Sequence, residues 1–317
     1  MPTDEYPPLL DRVGAKAQAA PLIDIASPLL REIVNHSTWA FKRCALESSD
    51  REGEDVAAFV LYRQAIELAD GIEVLLAEAC ATAAIPTLRA LFETVMGLQY
   101  LHESDATYVD RSFAWLYCYT RERIDIRLKL DPAVPRTQRL FEDWHGDGES
   151  LSLPPELVEA SRRIVRGLQD VLAGEDYGKA DTEYKRIATD WWKPKWYSFY
   201  GGPRTLLDLA RHLGQEREYE ILYRSWSRLA HAADASRFLG PAPSGAVPPF
   251  TGVRTTNGFI NVAQIPSSLM LEATRLMLGK FRSGENVKNW YLQEIQPRYE
   301  ALERLSSRER AAVTEGP

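Results

Sequence analysis

The chain is poor in cysteine: Cys44, Cys80 and Cys118 are the only three in 317 residues. They are odd in number and far apart, which excludes a disulfide framework and fits small, reduced core residues of a cytoplasmic protein. Long hydrophobic runs are missing too. A membrane-spanning helix needs about 18 or more mostly apolar residues, and the best candidate, Val74 to Leu101, is broken by Glu78, Arg89 and Glu93. Met1 to Leu10 carries acidic residues and prolines where a signal peptide needs positive charge and then an apolar run. Cationic charge is also in deficit. A formal net charge of −7 argues against a broad phosphate-binding face, because nonspecific nucleic-acid binding rests on clustered Lys and Arg. Glycine-rich phosphate loops, CxxC, HExxH and GxSxG are absent, which counts against nucleotide hydrolases, zinc proteases and α/β-hydrolases. Of the five histidines, His145 lies beside Asp143 and Asp147, but no second His or Cys stands at ligand spacing. No metal and no cofactor is expected.

What is present is helical periodicity. Apolar content of 45% and charged content of 26% are ordinary globular values, and a chain of this length can bury a large core. No repeat of 20 to 50 residues is found, which argues against a solenoid. Residues 1–22, rich in Ala and Pro, read as a flexible arm, residues 23–306 as one helical domain and residues 307–317 as a charged tail. Ser27-Pro28 reads as an N-cap with proline at the first helical position, opening a helix to Leu46. Further helices are expected over 54–79, 86–101, 105–129, 155–172, 179–188, 203–213, 216–233, 266–281 and 286–305. The stretch from Pro86 to Leu101 is the most apolar and is expected at the centre of the core. Asn257-Gly258 between Val253-Arg254-Thr255-Thr256 and Phe259-Ile260-Asn261-Val262 is a two-residue hairpin signal. The predicted fold is therefore all-α, a single large helical bundle with one small β-hairpin near 253–262.

Two clusters of residue types invite a chemical reading. Arg89 and Glu93 are the only charges between Ile85 and Leu101. A buried charge without a partner is costly, so each needs one. Either they pair with each other at i,i+4 on the helix face, or Glu93 points into a polar pocket lined by another helix. Tyr223-Arg224-Ser225-Trp226-Ser227-Arg228-Leu229-Ala230-His231 supplies candidates for that second helix. Seven residues make almost two turns, so Arg224 and His231 share a face with Ser227 between them. Such a face can hold a phosphate or polarise a leaving group. A second cluster runs Trp191-Trp192-Lys193-Pro194-Lys195-Trp196-Tyr197, where cations interleave with rings. That pattern suits single-stranded nucleic acid, with bases on the rings and phosphates on the lysines. It equally suits a bent loop that pins aromatics to the core and leaves the lysines in water.

Arg89-x3-Glu93 in an apolar helix, followed far downstream by Tyr223-Arg-x2-Ser-x3-His231, resembles a bacterial all-helical family described only as a domain of unknown function. The tryptophan-rich stretch before Leu206-Leu207-Asp208-Leu209-Ala210 and Gly214 has the same look, so the resemblance covers roughly Val56 to Phe238. It implies an all-α fold and a polar site drawn from Arg89, Glu93, Arg224 and His231, and no established activity. Arg-x(4–6)-His is also the signature of HEPN-type ribonucleases. Such spacings occur at Arg31/His36, Arg139/His145 and Arg224/His231, of which only the last is co-facial on an ideal helix.

Two functions follow. In the first, the protein is a non-catalytic binding or regulatory module and Glu93, Arg224 and His231 form a structural polar network. In the second, it is a metal-independent HEPN-like ribonuclease. His231 is then general acid or base at the ribose 2′-hydroxyl, Arg224 stabilises charge on the phosphoryl group, and Glu93 orients His231. Arg89, Ser227, Trp192, Lys193, Lys195 and Trp196 would contact the substrate. RNA and a second copy of the chain, in a two-fold dimer, are the candidate partners.

Overall fold

A computed structural model describes residues 9–48, 53–135, 153–226, 239 and 250–314, with side chains described as far as 305. The described residues are 79% helix, with no strand or sheet among them. In chain order the helices are α1 (Arg12–Glu47), α2 (Val56–Ala77), α3 (Ala81–Leu101), α4 (Asp105–Leu128), α5 (Pro155–Leu172), α6 (Gly178–Ile187) and α7 (Leu206–His212). Then come α8, opening at Glu216–Glu218, α9 (Phe259–Phe281) and α10 (Gln296–Thr314). Two wider π turns, Tyr219–Tyr223 and Tyr291–Ile295, interrupt this pattern.

Local chemistry accounts for several of these bounds. Ser104 caps α4 by accepting from the Ala106 N–H, with Asp105 in the first turn and Arg127 in the last, each matched to the end of the helix dipole it faces. Pro155 occupies the first turn of α5, where its missing N–H costs nothing. Thr205 and Asp208 bond reciprocally at the start of α7, and Gly214, at φ +71°, follows its end.

Two departures from expectation are instructive. α1 begins at Arg12, inside the segment read as an arm, and runs through Pro21 and Pro28. Ser27 is therefore no N-cap. Ala19, Leu22, Ala26, Leu29 and Leu30 are all buried, and that burial outweighs the bonds the prolines remove. The hairpin expected near 253–262 does not form either. Asn257-Gly258 is a turn, but Gly258, at φ +73°, leads into α9, whose first residues Phe259, Ile260, Val262 and Ala263 are buried at helical spacing.

The chain divides into two compact units. The first comprises residues 1–51, 58–102 and 210–317. Its core is α1 packed along α9, with α3 also packed on α9. Leu88, Leu91, Val95, Met96 and Leu98 of α3 are fully buried, as the apolar run required. A polar seam crosses this core: the Tyr62 hydroxyl meets the Ser37 carbonyl and the Thr274 hydroxyl, and the Ser27 hydroxyl donates to buried Glu73. The second unit comprises residues 52–57 and 103–209. In it α4 packs on α5, α6 and the short turn Trp196–Gly201, around Ala114, Tyr117, Ala180 and Phe199.

Candidate functional site

In the first unit, Arg89 and Glu93 stand one turn apart on α3 with their charged atoms 3.5 Å from each other. Their neighbours Leu88, Leu91, Phe92 and Val95 are buried, so the pair occupies the edge of an apolar surface. The group that completes it is Tyr223. Its hydroxyl accepts from Arg89 Nη2 at 2.5 Å and donates to Glu93 Oε1 at 2.5 Å. The Arg89 guanidinium also lies over the Tyr223 ring, 4.4 Å from its centre. Phe92 and Tyr219 flank that ring, Tyr219 stacking on it at 4.8 Å. Burial, and then the bond to Glu93, push the Tyr223 phenol up to about 12, against the smaller opposing pull of Arg89. At neutral pH the phenol keeps its proton.

Tyr223 closes the π turn that begins at Tyr219. A π turn closes its hydrogen bonds across five residues rather than four, so side chains beyond it are rotated by about 100° from ideal helical phase. Arg224, expected beside Glu93, bonds Glu220 at 2.6 Å and is largely exposed. Ser227 and His231, the rest of the expected co-facial set, lie outside the described residues. Tyr223 was missed as a partner because attention to charge passed over a neutral hydroxyl. The available signal was its position at the head of the Tyr-Arg-x2-Ser-x3-His motif.

The basic–aromatic stretch belongs to the second unit. Lys193 pairs with Asp125 at 2.8 Å and Lys195 with Glu122 at 3.5 Å, both acids on the exposed face of α4. Trp192 lies under the Arg204 guanidinium at 4.8 Å, and Trp196 packs against the cluster around Tyr117 and Phe199. Trp191 alone stands out, 97% exposed.

This unit holds a polar cluster that the sequence reading did not single out. Tyr117 donates to Asp181 at 2.8 Å and accepts from Arg121 at 3.2 Å, while Arg121 also covers the Tyr184 ring at 4.3 Å. Arginine, tyrosine and carboxylate thus repeat the order seen at Arg89, Tyr223 and Glu93. Burial raises the Tyr117 phenol to about 12. Tyr117, Arg121 and Asp181 line a cavity of about 430 Å³ together with Asp125 and Lys185.

Among the described residues no three His, Cys, Asp or Glu side chains gather as metal ligands would. The cysteines are free, and burial raises the Cys44 thiol to about 11 and the Cys118 thiol to about 12, which keeps both protonated and unreactive. No described helix is long and apolar enough to cross a membrane.

A protein whose described residues are all-helical, with Arg89-x3-Glu93 on a largely buried helix and Tyr223 answering it, is the class defined so far. The chain belongs to a family of unknown function (DUF5677), which its residues 55–245 match. No curated protein and no solved structure matches it.

Proposed function

We propose that this protein is a non-catalytic, cytoplasmic helical module that binds or regulates, and that Arg89, Tyr223 and Glu93 form a knot fixing the segment after α7 onto α3. The observation that carries the reading is the saturation of the Tyr223 hydroxyl, which accepts from Arg89 and donates to Glu93. A phenol so held has neither a free lone pair aimed at a substrate nor a low enough pKa to act as a base. The lysines of the aromatic stretch favour the same reading, because each already faces a carboxylate of its own unit.

The test is incubation of the purified chain with single-stranded RNA and DNA in EDTA. No cleavage of either is expected. Cleavage of RNA alone, lost in His231→Ala and in Arg224→Ala, would overturn the reading and establish a metal-independent HEPN-like ribonuclease that requires the 2′-hydroxyl. We further propose a two-fold homodimer, the commonest closed assembly of soluble chains. Light scattering at micromolar concentration should give twice the chain mass, and a monomer mass refutes it.

A further inference from the structure

In the first unit a cavity of about 500 Å³ opens between α1, the C-terminal half of α9 and the turn that follows it. None of its lining falls within residues 55–245, so the segments outside the family match build it. Leu271, Leu278 and Val287 give it an apolar interior. One wall is aromatic: His36 and Trp290 lie in it with their rings stacked at 3.7 Å and 15°. The indole is held in place, its Nε1 donating to Glu32 at 2.8 Å. Burial, and then the nearby Arg43, lower the His36 pKa, so the imidazole presents an uncharged face. Its Nε2 is buried without a hydrogen-bond partner among the described residues.

Most charges at the rim are held in pairs, Arg43 sharing Glu285. Arg275 is held by both oxygens of Glu272, and Arg282 by Glu47 and Glu285. Lys288 also lines the cavity, is exposed, and has no ion-pair partner among the described residues. Its ammonium is the cation of the lining that no described carboxylate holds, while Glu32, the acceptor of the Trp290 indole, brings a negative charge to the same wall. Two features of the backbone point the same way. Gly279 sits inside α9, where glycine weakens a helix, and a Cβ built there would meet nothing within 4 Å. The second π turn starts at Tyr291, also in the lining, and such turns are frequent at functional sites.

We infer that this cavity binds a small, flat aromatic molecule bearing one carboxylate, its ring extending the His36–Trp290 stack and its anion meeting Lys288. The volume, and a lining surface that is largely apolar with charged groups at its rim, are those of small-molecule sites. The inference rests on the binding reading above and gives it a ligand class. The RNA test reads His231 and Arg224, so a failure there is separate from a failure here.

The experiment is calorimetric titration of the full chain with 1-naphthoate, and in parallel with the neutral 1-naphthalenemethanol. One equivalent of the anion should bind saturably, and the alcohol at least about tenfold more weakly, as expected for loss of one charge-assisted contact. Lys288→Ala should weaken 1-naphthoate by about the same factor without changing the melting temperature. Gly279→Phe should fill the space and abolish binding while the helical circular dichroism is kept. Absence of saturable binding up to about 1 mM overturns the inference. Undiminished binding in Lys288→Ala, or in folded Gly279→Phe, overturns it equally.

Discussion

Replacing Tyr223 by Phe removes one hydroxyl and leaves the ring, with its contacts to Arg89, Phe92 and Tyr219, in place. The hydroxyl makes two charge-assisted bonds, each 2.5 Å, to Arg89 and Glu93. Such bonds are worth about 1.5–3 kcal/mol each, so their sum is a ceiling. The real cost is smaller, because the Arg89 and Glu93 side chains are 23% and 41% exposed and already 3.5 Å apart. After the substitution they can pair more closely and recover water. A loss of about 2 kcal/mol is expected from urea unfolding followed by circular dichroism at pH 7. The pH dependence is the stricter check. The phenol ionises near 10 when unfolded and at about 12 when folded, so its contribution is complete below pH 10 and disappears as pH rises to 12. The stability gap between the native chain and Tyr223→Phe should therefore close over that range. A loss below about 0.5 kcal/mol, or a gap that stays constant to pH 12, would refute the knot.

Three further outcomes are expected. Leu91→Ala, at a fully buried position of α3, should cost about 2–5 kcal/mol in the same unfolding assay, and a cost below about 1 kcal/mol would place the centre of the core elsewhere. Glu183 is nearly buried, accepts both bonds of Arg186 and the Tyr200 N–H, and is held below the usual carboxylate range chiefly by Arg186. Its contribution is present above the ordinary carboxylate pKa and lost as pH falls through the folded value, so Glu183→Gln should flatten the acid limb of the stability curve. Lys193→Ala and Lys195→Ala remove exposed ion pairs, and each should change stability by less than about 1 kcal/mol.

Elements governed by neighbours in sequence could be read without coordinates. α4, α5 and α6 fall within about one residue of expectation, because caps, first-turn prolines and a 3.6-residue apolar rhythm act over one or two turns. The need of Arg89 and Glu93 for partners was readable for a similar reason: two charges in an apolar helix are costly wherever the helix goes. Distant packing overruled the local signals elsewhere. Pro28 after Ser27 marks a helix start by every short-range rule, yet α1 runs straight through it because its face is buried along α9. The four residues after Gly258 fit a strand and a helix about equally, and burial of Phe259 and Val262 at helical spacing settled the matter. The partner of Arg89 and Glu93 was beyond any reading at ideal spacing. A single wide turn over Tyr219–Tyr223 brings Tyr223 onto α3 and leaves Arg224 with Glu220. Phase along a helix accumulates residue by residue, so one extra residue in one turn redirects every side chain after it, and only packing against α3 makes that turn worth forming.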